Sequence, residues 1–352
     1  MKELNKFYKK KKVLITGHTG FKGSWLISLL YLLGSKIYGV SFDVKKNSHY
    51  RNLGINKKIK NKNLDIRNFD KLKNHILSVK PDIIFHLAAQ SLVNTSYKKP
   101  ISTWTTNVIG TLNLIESIKL LKTKCTIVIV TSDKCYLNKE KIAGYKESDE
   151  LGGYDPYSAS KASAEHVFFS EYNSFLKFNK NIKIATARAG NVIGGGDWSD
   201  DRIIPDFIKS IIRKKTLKVR NPDATRPWQH VLEPLVGYLK LAHKLSKKNK
   251  LSGKSFNFGP STTSNNTVND VLRELNKKIV VGKWKSPKKI KKIYETKILV
   301  LDSKFARNKL NWKTKLSFKE TVRLTAEWYY QYLKKRKVIT FEQINYFISK
   351  YK

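Results

Sequence analysis

The sequence predicts an α/β fold in which a doubly wound parallel sheet is joined to a smaller C-terminal lobe. The chain has 352 residues, of which 40% are hydrophobic, and this length suits one large α/β unit with an appendage. Over the first two-thirds of the chain, short apolar runs alternate with segments of helical periodicity, which is typical of βαβ units. From about residue 195, loops with Gly, Pro and Trp replace this alternation.

The predicted elements follow from these runs, taken in chain order. Strands are predicted in KVLITG, KIYGVSFD, DIIFHLAA, CTIVIVTS and the start of IKIATARAGNVIG. Continuous apolar runs of this kind are expected where helices cover a sheet on both faces. Helices are predicted in GSWLISLLYLLG, TTNVIGTLNLIESIKLL and SASKASAEHVFFSEYNSF. The C-terminal stretch YLKKRKVITFEQINYFISKYK is predicted to form a helix, a break and a second helix.

The stretch GHTGFKG lies between the first predicted strand and the first predicted helix. Gly17, Gly20 and Gly23 permit a tight turn and a close approach of the backbone to a pyrophosphate at a helix N-terminus. Asp43 ends the next strand, 20 residues after Gly23, where a carboxylate can accept hydrogen bonds from ribose hydroxyls and would repel a 2′-phosphate. The sequence therefore predicts a Rossmann-type fold that binds NAD rather than NADP. The alternative is a glycine-rich turn with no ligand. Lys22 within the loop could contact a phosphate, but we expect it to be solvated.

The stretch YSASK places Tyr157 and Lys161 four residues apart at the start of a predicted helix, so both side chains lie on one helix face. A nearby ammonium favours the phenolate, and we expect it to lower the pKa of Tyr157 towards that of a useful base. The spacing alone is common by chance. Together with the glycine loop and with TSD after a buried strand, it indicates a dinucleotide-dependent enzyme.

At this point the chain resembles a known family, the extended short-chain dehydrogenase/reductases, and within it the nucleotide-sugar 4,6-dehydratases. The resemblance covers roughly residues 11 to 330 and is strongest to the branch that acts on CDP-glucose. The stretches that carry it are GHTGFKGSWL, FHLAAQSLVNTSY, VTSDKCY, GGYDPYSASKASAE, ARAGNVIGGGDW and RNPDATRPWQHVLEP.

The resemblance implies a reaction in three stages. Tyr157 would remove the proton of the sugar 4-hydroxyl while C4 gives hydride to NAD, water would be lost across C5 and C6, and hydride would return to C6. Ser132 would bond the 4-oxygen, and Asp133 would protonate the departing 6-hydroxyl. Lys134 would take the C5 proton where many relatives carry Glu, or it would stabilise an enolate while another group acts as the base.

The resemblance also implies further contacts in the cleft. Those expected for the cofactor, besides the glycines, Asp43, Tyr157 and Lys161, are Thr19, Phe21, Asp65, Ile66, Leu87, Ala88, Ala89 and Asn107. Those expected for the nucleotide sugar, besides Ser132, are Gln90, Asn191, Arg202, Arg220 and Arg226. The planar fork of arginine suits phosphate oxygens. For Asn107, a structural role in fixing the active-site helix is an equal alternative.

The resemblance leads to a domain assignment and to an expected assembly. Residues 1–190 are predicted to form the NAD-binding Rossmann domain, 191–330 mainly a nucleotide-sugar-binding lobe with returns to the sheet, and 331–352 a C-terminal tail. A homodimer is expected through helices at roughly 100–121 and 157–175.

Composition bounds the remaining possibilities. The net charge of +43 is interpreted as a lysine bias spread over the surface, because no nucleic-acid-binding motif accompanies it. No apolar run approaches the ~18 to 20 residues of a membrane span. The N-terminus lacks the pattern of a signal peptide, and the two cysteines, Cys125 and Cys135, favour a reducing, cytoplasmic location and no metal site.

Three alternatives to a CDP-glucose dehydratase stay open on the sequence. The nearest is a UDP-N-acetylglucosamine 4,6-dehydratase, because some of those enzymes also carry Asp-Lys after the strand. The second alternative is a sugar 4-epimerase. It is less favoured, because an epimerase needs no acid at C6 and no base at C5. The third alternative is a non-catalytic protein that binds NAD or nucleic acid. The high net positive charge is the feature that favours it.

Overall fold

The computed structural model describes residues 1–44, 47–260, 266–279, 282–286 and 299–351. In chain order, the strands of these residues are β1 (Lys12–Thr16), β2 (Lys36–Ser41), β3 (Lys60–Asn63), β4 (Ile83–His86), β5 (Cys125–Val130), β6 (Ile182–Ala189), β7 (Val192–Ile193), β8 (Leu217–Lys218), β9 (Gln229–His230), β10 (Ser255–Phe258) and β11 (Trp284–Lys285). The helices are α1 (Lys2–Tyr8), α2 (Phe21–Leu32), α3 (His49–Asn52), α4 (Phe69–Val79), α5 (Val93–Lys98), α6 (Pro100–Trp104), α7 (Gly110–Lys119), α8 (Pro156–Ser174), α9 (Ile203–Ile212), α10 (Leu232–Lys247), α11 (Val268–Ile279), α12 (Lys304–Leu310), α13 (Phe318–Lys335) and α14 (Thr340–Ser349).

The main sheet of the described residues has seven parallel strands in the order β10-β6-β5-β4-β1-β2-β3. The chain leaves β1 in one direction through β2 and β3, and then in the other through β4, β5 and β6. This reversal of strand order opens a crevice at the carboxyl ends of β1 and β4, where ligands of doubly wound sheets bind. The α/β fold predicted from the sequence is confirmed, while the predicted division into domains stays a prediction.

The core lies on both faces of this sheet because successive side chains of a strand point in opposite directions. Val13 and Ile15 of β1 pack with buried side chains of α2 and α10. Leu14 of the same strand packs with α4 and α7 on the other face. Every residue of β5 is buried, which explains why its sequence, CTIVIV, does not alternate with polar residues.

Among the helical segments that differ from the prediction, two lie beside the main sheet. The predicted helix at 105–121 opens with a π-helical turn, Thr105–Ile109, before α7 begins; such turns occur frequently at functional sites. Helix α4 is absent from the predicted elements, although the Asn68 side chain caps it by accepting a bond from the backbone of Lys71. Buried apolar residues at intervals of three and four, beginning at Leu72, were the signal for this helix.

The C-terminal stretch forms the predicted helix, break and helix. Helix α13 ends at Arg336, whose φ of 52° breaks the helix, and α14 follows from Thr340. The Thr340 hydroxyl lies 2.8 Å from His49 Nε2 and accepts a bond from Trp328 Nε1, so the tail is bound to the body of the protein. None of the helices in the described ranges combines the length and hydropathy that a bilayer span needs.

Candidate active site

A cleft of about 1020 Å³ opens at the carboxyl ends of the parallel strands. The loops after β1, β2, β4, β5 and β6 border it, together with the first turns of α2 and α8. Every residue predicted to act in catalysis, cofactor binding or substrate binding lines this cleft, with the exception of Asn107. The topology therefore gathers at one place residues that are far apart in the sequence.

The glycine loop packs so tightly that side chains at two of its positions would collide with the backbone. Gly17 has a φ of +74°, and a Cβ there would lie 2.7 Å from the backbone nitrogen of Ala88. A Cβ at Gly23 would lie 2.2 Å from the carbonyl oxygen of Gly17. The loop thus leaves bare backbone at the N-terminus of α2, whose N–H groups and dipole form a cradle that suits a diphosphate.

Two acidic residues stand at the outer end of the cleft. Asp43 follows β2 with an exposed side chain and a φ of 56°, a left-handed conformation that Asp adopts more readily than most residues. The Asp65 carboxylate accepts two bonds from Arg67 Nε, at 3.1 and 2.9 Å. These hydrogen bonds from Arg67 lower the pKa of Asp65. Arg67, which was not among the predicted site residues, therefore already engages the carboxylate expected to contact the cofactor.

The turn after β5 brings a hydroxyl, a carboxylate and an ammonium together. Ser132 Oγ donates to Asp133 Oδ1 at 3.0 Å and accepts from the backbone nitrogen of Lys134 at 3.2 Å. Lys134 Nζ donates to Asp133 Oδ1 and to Asn191 Oδ1, each at 3.3 Å. Asp133 is only 3% exposed, and a Cβ at Gly190 would lie 3.3 Å from its Oδ2. The glycine after β6 thus makes room for the buried carboxylate.

Helix α8 carries the tyrosine and the lysine. The Asp155 side chain caps it by accepting bonds from the backbone of Tyr157 and Ser158, both at 3.0 Å. Burial lowers the pKa of Lys161 to about 8, and its Nζ lies 3.5 Å from the carbonyl oxygen of Val130. Burial raises the pKa of Tyr157 to about 12, and the polar interaction with the Ser132 side chain opposes this rise. The expected lowering of the tyrosine pKa is therefore not found, because desolvation of the phenolate outweighs the favourable contacts.

A buried ion pair fixes α8 against the sheet. Glu165, one turn beyond Lys161, accepts a bond of 2.7 Å from Arg188 Nη2, and the two side chains are 1% and 4% exposed. The other donors to Glu165 are the hydroxyls of Thr131, Thr186 and Ser255. These contacts join α8 to the ends of β5, β6 and β10. The sequence signal was a Glu four residues after the active-site lysine, on the same helix face.

We expect Glu165→Gln to lower the free energy of unfolding by about 3–5 kcal/mol, because it leaves the Arg188 guanidinium buried without its counter-ion. Urea denaturation followed by circular dichroism measures this change. Glu150→Gln is the control, since it removes the acidic partner of an exposed pair with Lys139 and should have a much smaller effect, because solvent screens an exposed pair. Equal effects of the two variants would contradict the structural role of the buried pair.

Two amides predicted to contact ligands make hydrogen bonds within the protein. Asn107 is 1% exposed; its Oδ1 accepts from the backbone nitrogen of Gln90, and its Nδ2 donates to the carbonyl of Gln90 and to Ser160 Oγ. The Gln90 side chain donates to Leu92 O and Thr103 Oγ1, each at 3.0 Å. Of the two roles considered for Asn107, the geometry favours the structural one, in which it joins the loop after β4 to α8.

The predicted arginines face the cleft from its other wall. Arg202 Nη1 donates to Asp197 Oδ2 at 2.8 Å, which orients a guanidinium that is still one-third exposed. Arg220 and Arg226 also line the cleft, and Arg226 Nη1 donates to the carbonyl of Thr225 at 2.8 Å. The Asp197 anchor was not predicted. Lys22 is partly buried and also lines the cleft.

Comparison with known proteins decides the family. A family model described as GDP-mannose 4,6 dehydratase matches residues 14–325. The chain belongs to this family. Membership in the dehydratase family confirms the resemblance to nucleotide-sugar 4,6-dehydratases drawn from the motifs.

This member of the dehydratase family has full-length relatives among characterised proteins. It is 39% identical to CDP-glucose 4,6-dehydratase from Salmonella typhimurium over 333 residues, which cover 92% of this chain and 91% of the relative. It is 26% identical to CDP-paratose 2-epimerase from Salmonella typhi, with 90% of this chain and 98% of that protein covered.

Solved structures place the dehydratase-family chain in the same fold. An epimerase from Methanothermobacter thermautotrophicus has a TM-score of 0.81 at 22% identity, covering 98% of this chain and 97% of its own. UDP-glucuronic acid 4-epimerase from Bacillus cereus, solved with UDP-glucuronic acid and NAD, has a TM-score of 0.76 at 22% identity, covering 91% and 99%. At this level of identity the likeness establishes the fold alone.

Proposed function

We propose that this protein is a hydro-lyase that converts CDP-glucose to CDP-4-keto-6-deoxyglucose with NAD, in the biosynthesis of deoxysugars for surface polysaccharide. The observation that supports this most strongly is the cluster of Ser132, Asp133 and Lys134 beside Tyr157. In this cluster Asp133 is the candidate acid and Lys134 the candidate base for water loss. Tyr157 beside them is the candidate base for oxidation at C4. The full-length relative that acts on CDP-glucose supports the choice of nucleotide.

The cleft fits NAD by the features predicted from the sequence. The bare backbone of the glycine loop at the N-terminus of α2 suits the diphosphate, and the exposed carboxylate of Asp43 suits the ribose hydroxyls. A relative of the same fold was solved with NAD. When bound, NAD would supply a hydride acceptor for C4 and a hydride donor for C6. It is regenerated in each turnover and is not consumed.

The residues of this chain would then handle the protons. Tyr157 would accept the proton of the 4-hydroxyl, with Ser132 bonding the same oxygen. Asp133 would give a proton to the 6-hydroxyl as it leaves, and Lys134 would take the C5 proton or stabilise the enolate. Lys134 Nζ lies 3.3 Å from Asp133 Oδ1, so the proposed acid and the proposed base of the water-loss step are in contact.

Mass spectrometry of reactions with the purified protein tests this function. CDP-glucose, UDP-glucose, dTDP-glucose and UDP-N-acetylglucosamine would be offered separately with NAD. We expect loss of one water from CDP-glucose alone. Loss of water only from UDP-N-acetylglucosamine would move the protein to the alternative branch, and interconversion of isomers without loss of water would indicate an epimerase. Turnover of none of the four would overturn the dehydratase proposal.

We further propose that the enzyme is a homodimer in the cytoplasm. Large apolar side chains are exposed on the two helical regions expected to meet a second copy, with Ile101 78%, Ile109 45% and Phe169 66% exposed. Exposed apolar side chains of this size favour burial against a partner. Analytical ultracentrifugation should find a dimer, and Ile101→Asp should yield monomers; a monomeric wild-type protein would contradict the proposal.

The cytoplasmic location is supported by the cysteines. Both cysteines are free and buried, which suits a reducing compartment.

A further inference from the structure

Many lysines of this chain stand where the strands of the main sheet begin. Each of the seven strands starts with a lysine or closely follows one. The lysine-bearing segments are KKKK at 9–12, NKKIK at 56–60, LLKTK at 120–124, FLKFNKN at 175–181 and KNKLSGK at 248–254, with single lysines at 36 and 80. Parallel strands all begin at one edge of a sheet, so these segments lie together at that edge, here called the amino edge, opposite the cleft. A charge that the sequence alone suggested to be spread over the surface is thus concentrated on one side.

Few acidic side chains neutralise the amino edge. Asp82, directly before β4, is the one acid among the residues that lead into these strands, and it pairs with Lys11 at 3.3 Å. Within the described ranges, no other lysine of these segments has a carboxylate partner. The loops at the opposite edge carry Asp43, Asp133 and Asp197. Excess positive charge therefore lies at the amino edge, whereas acids stand at the cleft.

Large aromatic side chains are exposed beside these lysines. Phe178 is 72% and Phe175 54% exposed, and both lie in the segment before β6. This segment adjoins the one before β5, because the two strands pair and Asn181 Nδ2 donates to the carbonyl oxygen of Lys122 at 3.2 Å. Lys177 Nζ lies 4.8 Å from the centre of the Phe178 ring. Rings and ammonium groups therefore share one exposed surface.

Lysines at the amino edge also favour the fold itself. The helices that connect the strands run antiparallel to them, so the carboxyl ends of these helices lie at the amino edge, where the helix dipole favours a cation. This structural role accounts for a lysine near a helix end. It does not account for phenylalanine rings exposed to water among several lysines, because an aromatic ring does not neutralise the dipole.

We propose that the amino edge is a docking surface for an anionic lipid bilayer, with Phe175 and Phe178 inserted at the level of the headgroups. Ammonium groups suit anionic headgroups, and aromatic rings suit the boundary between headgroups and acyl chains. Seven strands spaced ~4.8 Å apart make this edge about 30 Å wide, a breadth that fits a surface. Nucleic acid is a poorer match, because the segments contain no arginine, the residue that binds phosphates and base edges bidentately.

Docking through the amino edge would leave the cleft accessible. The cleft opens at the carboxyl ends of the strands, on the opposite side of the sheet, and would therefore face the solution and admit soluble ligands. The inference goes beyond the proposed reaction and does not depend on it.

Co-sedimentation with lipid vesicles tests the proposal. Wild-type protein should sediment with vesicles of phosphatidylcholine and phosphatidylglycerol, mixed about two to one, and not with phosphatidylcholine alone. Binding should weaken as salt is raised from about 0.1 M to about 0.5 M, because salt screens exposed charges. The double variant Lys177→Gln, Lys180→Gln should bind about 10- to 100-fold more weakly. Phe178→Ser should bind about tenfold more weakly, because it removes the ring that would enter the bilayer.

A second pair of lysines provides the charge-matched control. The double variant Lys334→Gln, Lys335→Gln removes the same charge at the end of α13, where Tyr332 packs against Trp198 of the cleft. Its vesicle binding should stay within about twofold of the wild type. Circular dichroism should show every variant folded, because all the side chains changed are exposed.

Four results would overturn the proposal. The first two are wild-type protein that stays in solution with anionic vesicles, and equal vesicle binding by the wild type and the Lys177→Gln, Lys180→Gln variant. Binding of duplex DNA in place of vesicles would assign the amino edge to nucleic acid. Loss of a dimer in Phe178→Ser would assign the rings to a contact between copies. Turnover of CDP-glucose is measured separately, so failure of the dehydratase proposal would leave the vesicle result intact.

Discussion

Replacing Tyr157 with Phe should lower kcat for dehydration of CDP-glucose by about 10²- to 10⁴-fold, the range observed when a general base is removed. The change deletes one hydroxyl from a side chain that is 7% exposed. It leaves the ring, and the Asp155 cap of α8, in place. Binding of NAD and of CDP should therefore stay within about threefold of the wild type. Mass spectrometry of the product measures the rate, and calorimetry measures the affinities.

Tyr172→Phe is the matched control, since it removes the same hydroxyl from the same helix, outside the residues that line the cleft. We expect it to retain wild-type activity. Turnover by Tyr157→Phe equal to that of this control would show that the phenol does not take the 4-hydroxyl proton. Loss of NAD binding in Tyr157→Phe would instead mean that the hydroxyl positions the cofactor.

Replacing Asp133 with Asn should separate oxidation from water loss. An amide keeps the shape of the buried carboxylate and can still accept a bond from Ser132, but it cannot supply the acid proton. We expect dehydration to fall about 10²- to 10⁴-fold, while oxidation at C4 continues and reduced cofactor accumulates on the enzyme. Ultraviolet absorbance of the reduced nicotinamide reports the oxidation, and mass spectrometry reports the water loss.

Asp149→Asn provides the control for this change, because it makes the same substitution in a carboxylate paired with Lys141 outside the cleft. It should dehydrate CDP-glucose at the wild-type rate. Equal rates for Asp133→Asn and the wild type would exclude Asp133 as the acid. A variant that neither oxidises nor dehydrates the sugar would assign Asp133 to an earlier step than the one proposed.

The Asp133→Asn variant allows the role of Lys134 to be tested, because it should stop after oxidation of the sugar at C4. In heavy water, the hydrogen on C5 of the oxidised sugar should exchange with solvent if Lys134 is the base. Adding Lys134→Met should then stop the exchange. Continued exchange in the double variant would show that another group takes the C5 proton and that the ammonium acts electrostatically. The contact of Lys134 Nζ with Asn191 Oδ1 suits either role, because it holds the nitrogen in place.

Most of the fold could be predicted because it depends on local patterns. A strand buried on both faces must be apolar throughout, so CTIVIV indicated β5 without knowledge of its neighbours. Helix α4 was missed because its amphipathic pattern is short and is rich in polar residues. The π-helical turn before α7 was also beyond prediction. Its buried member, Asn107, bonds to Gln90 and Ser160, and no local pattern encodes those partners.

By itself, the sequence determined the identities and the order of the groups that border the cleft. A glycine trio after β1, an acid after β2, Ser-Asp-Lys after β5 and a tyrosine and lysine on α8 all follow strand ends, and parallel strands bring such ends to one edge of a sheet. Only the tertiary structure decided how these groups behave there. Burial raises the pKa of Tyr157 and lowers that of Lys22, since desolvation depends on atoms contributed by distant parts of the chain. The same packing joined the Gln90 side chain to Leu92 and Thr103, partners that no local pattern encodes.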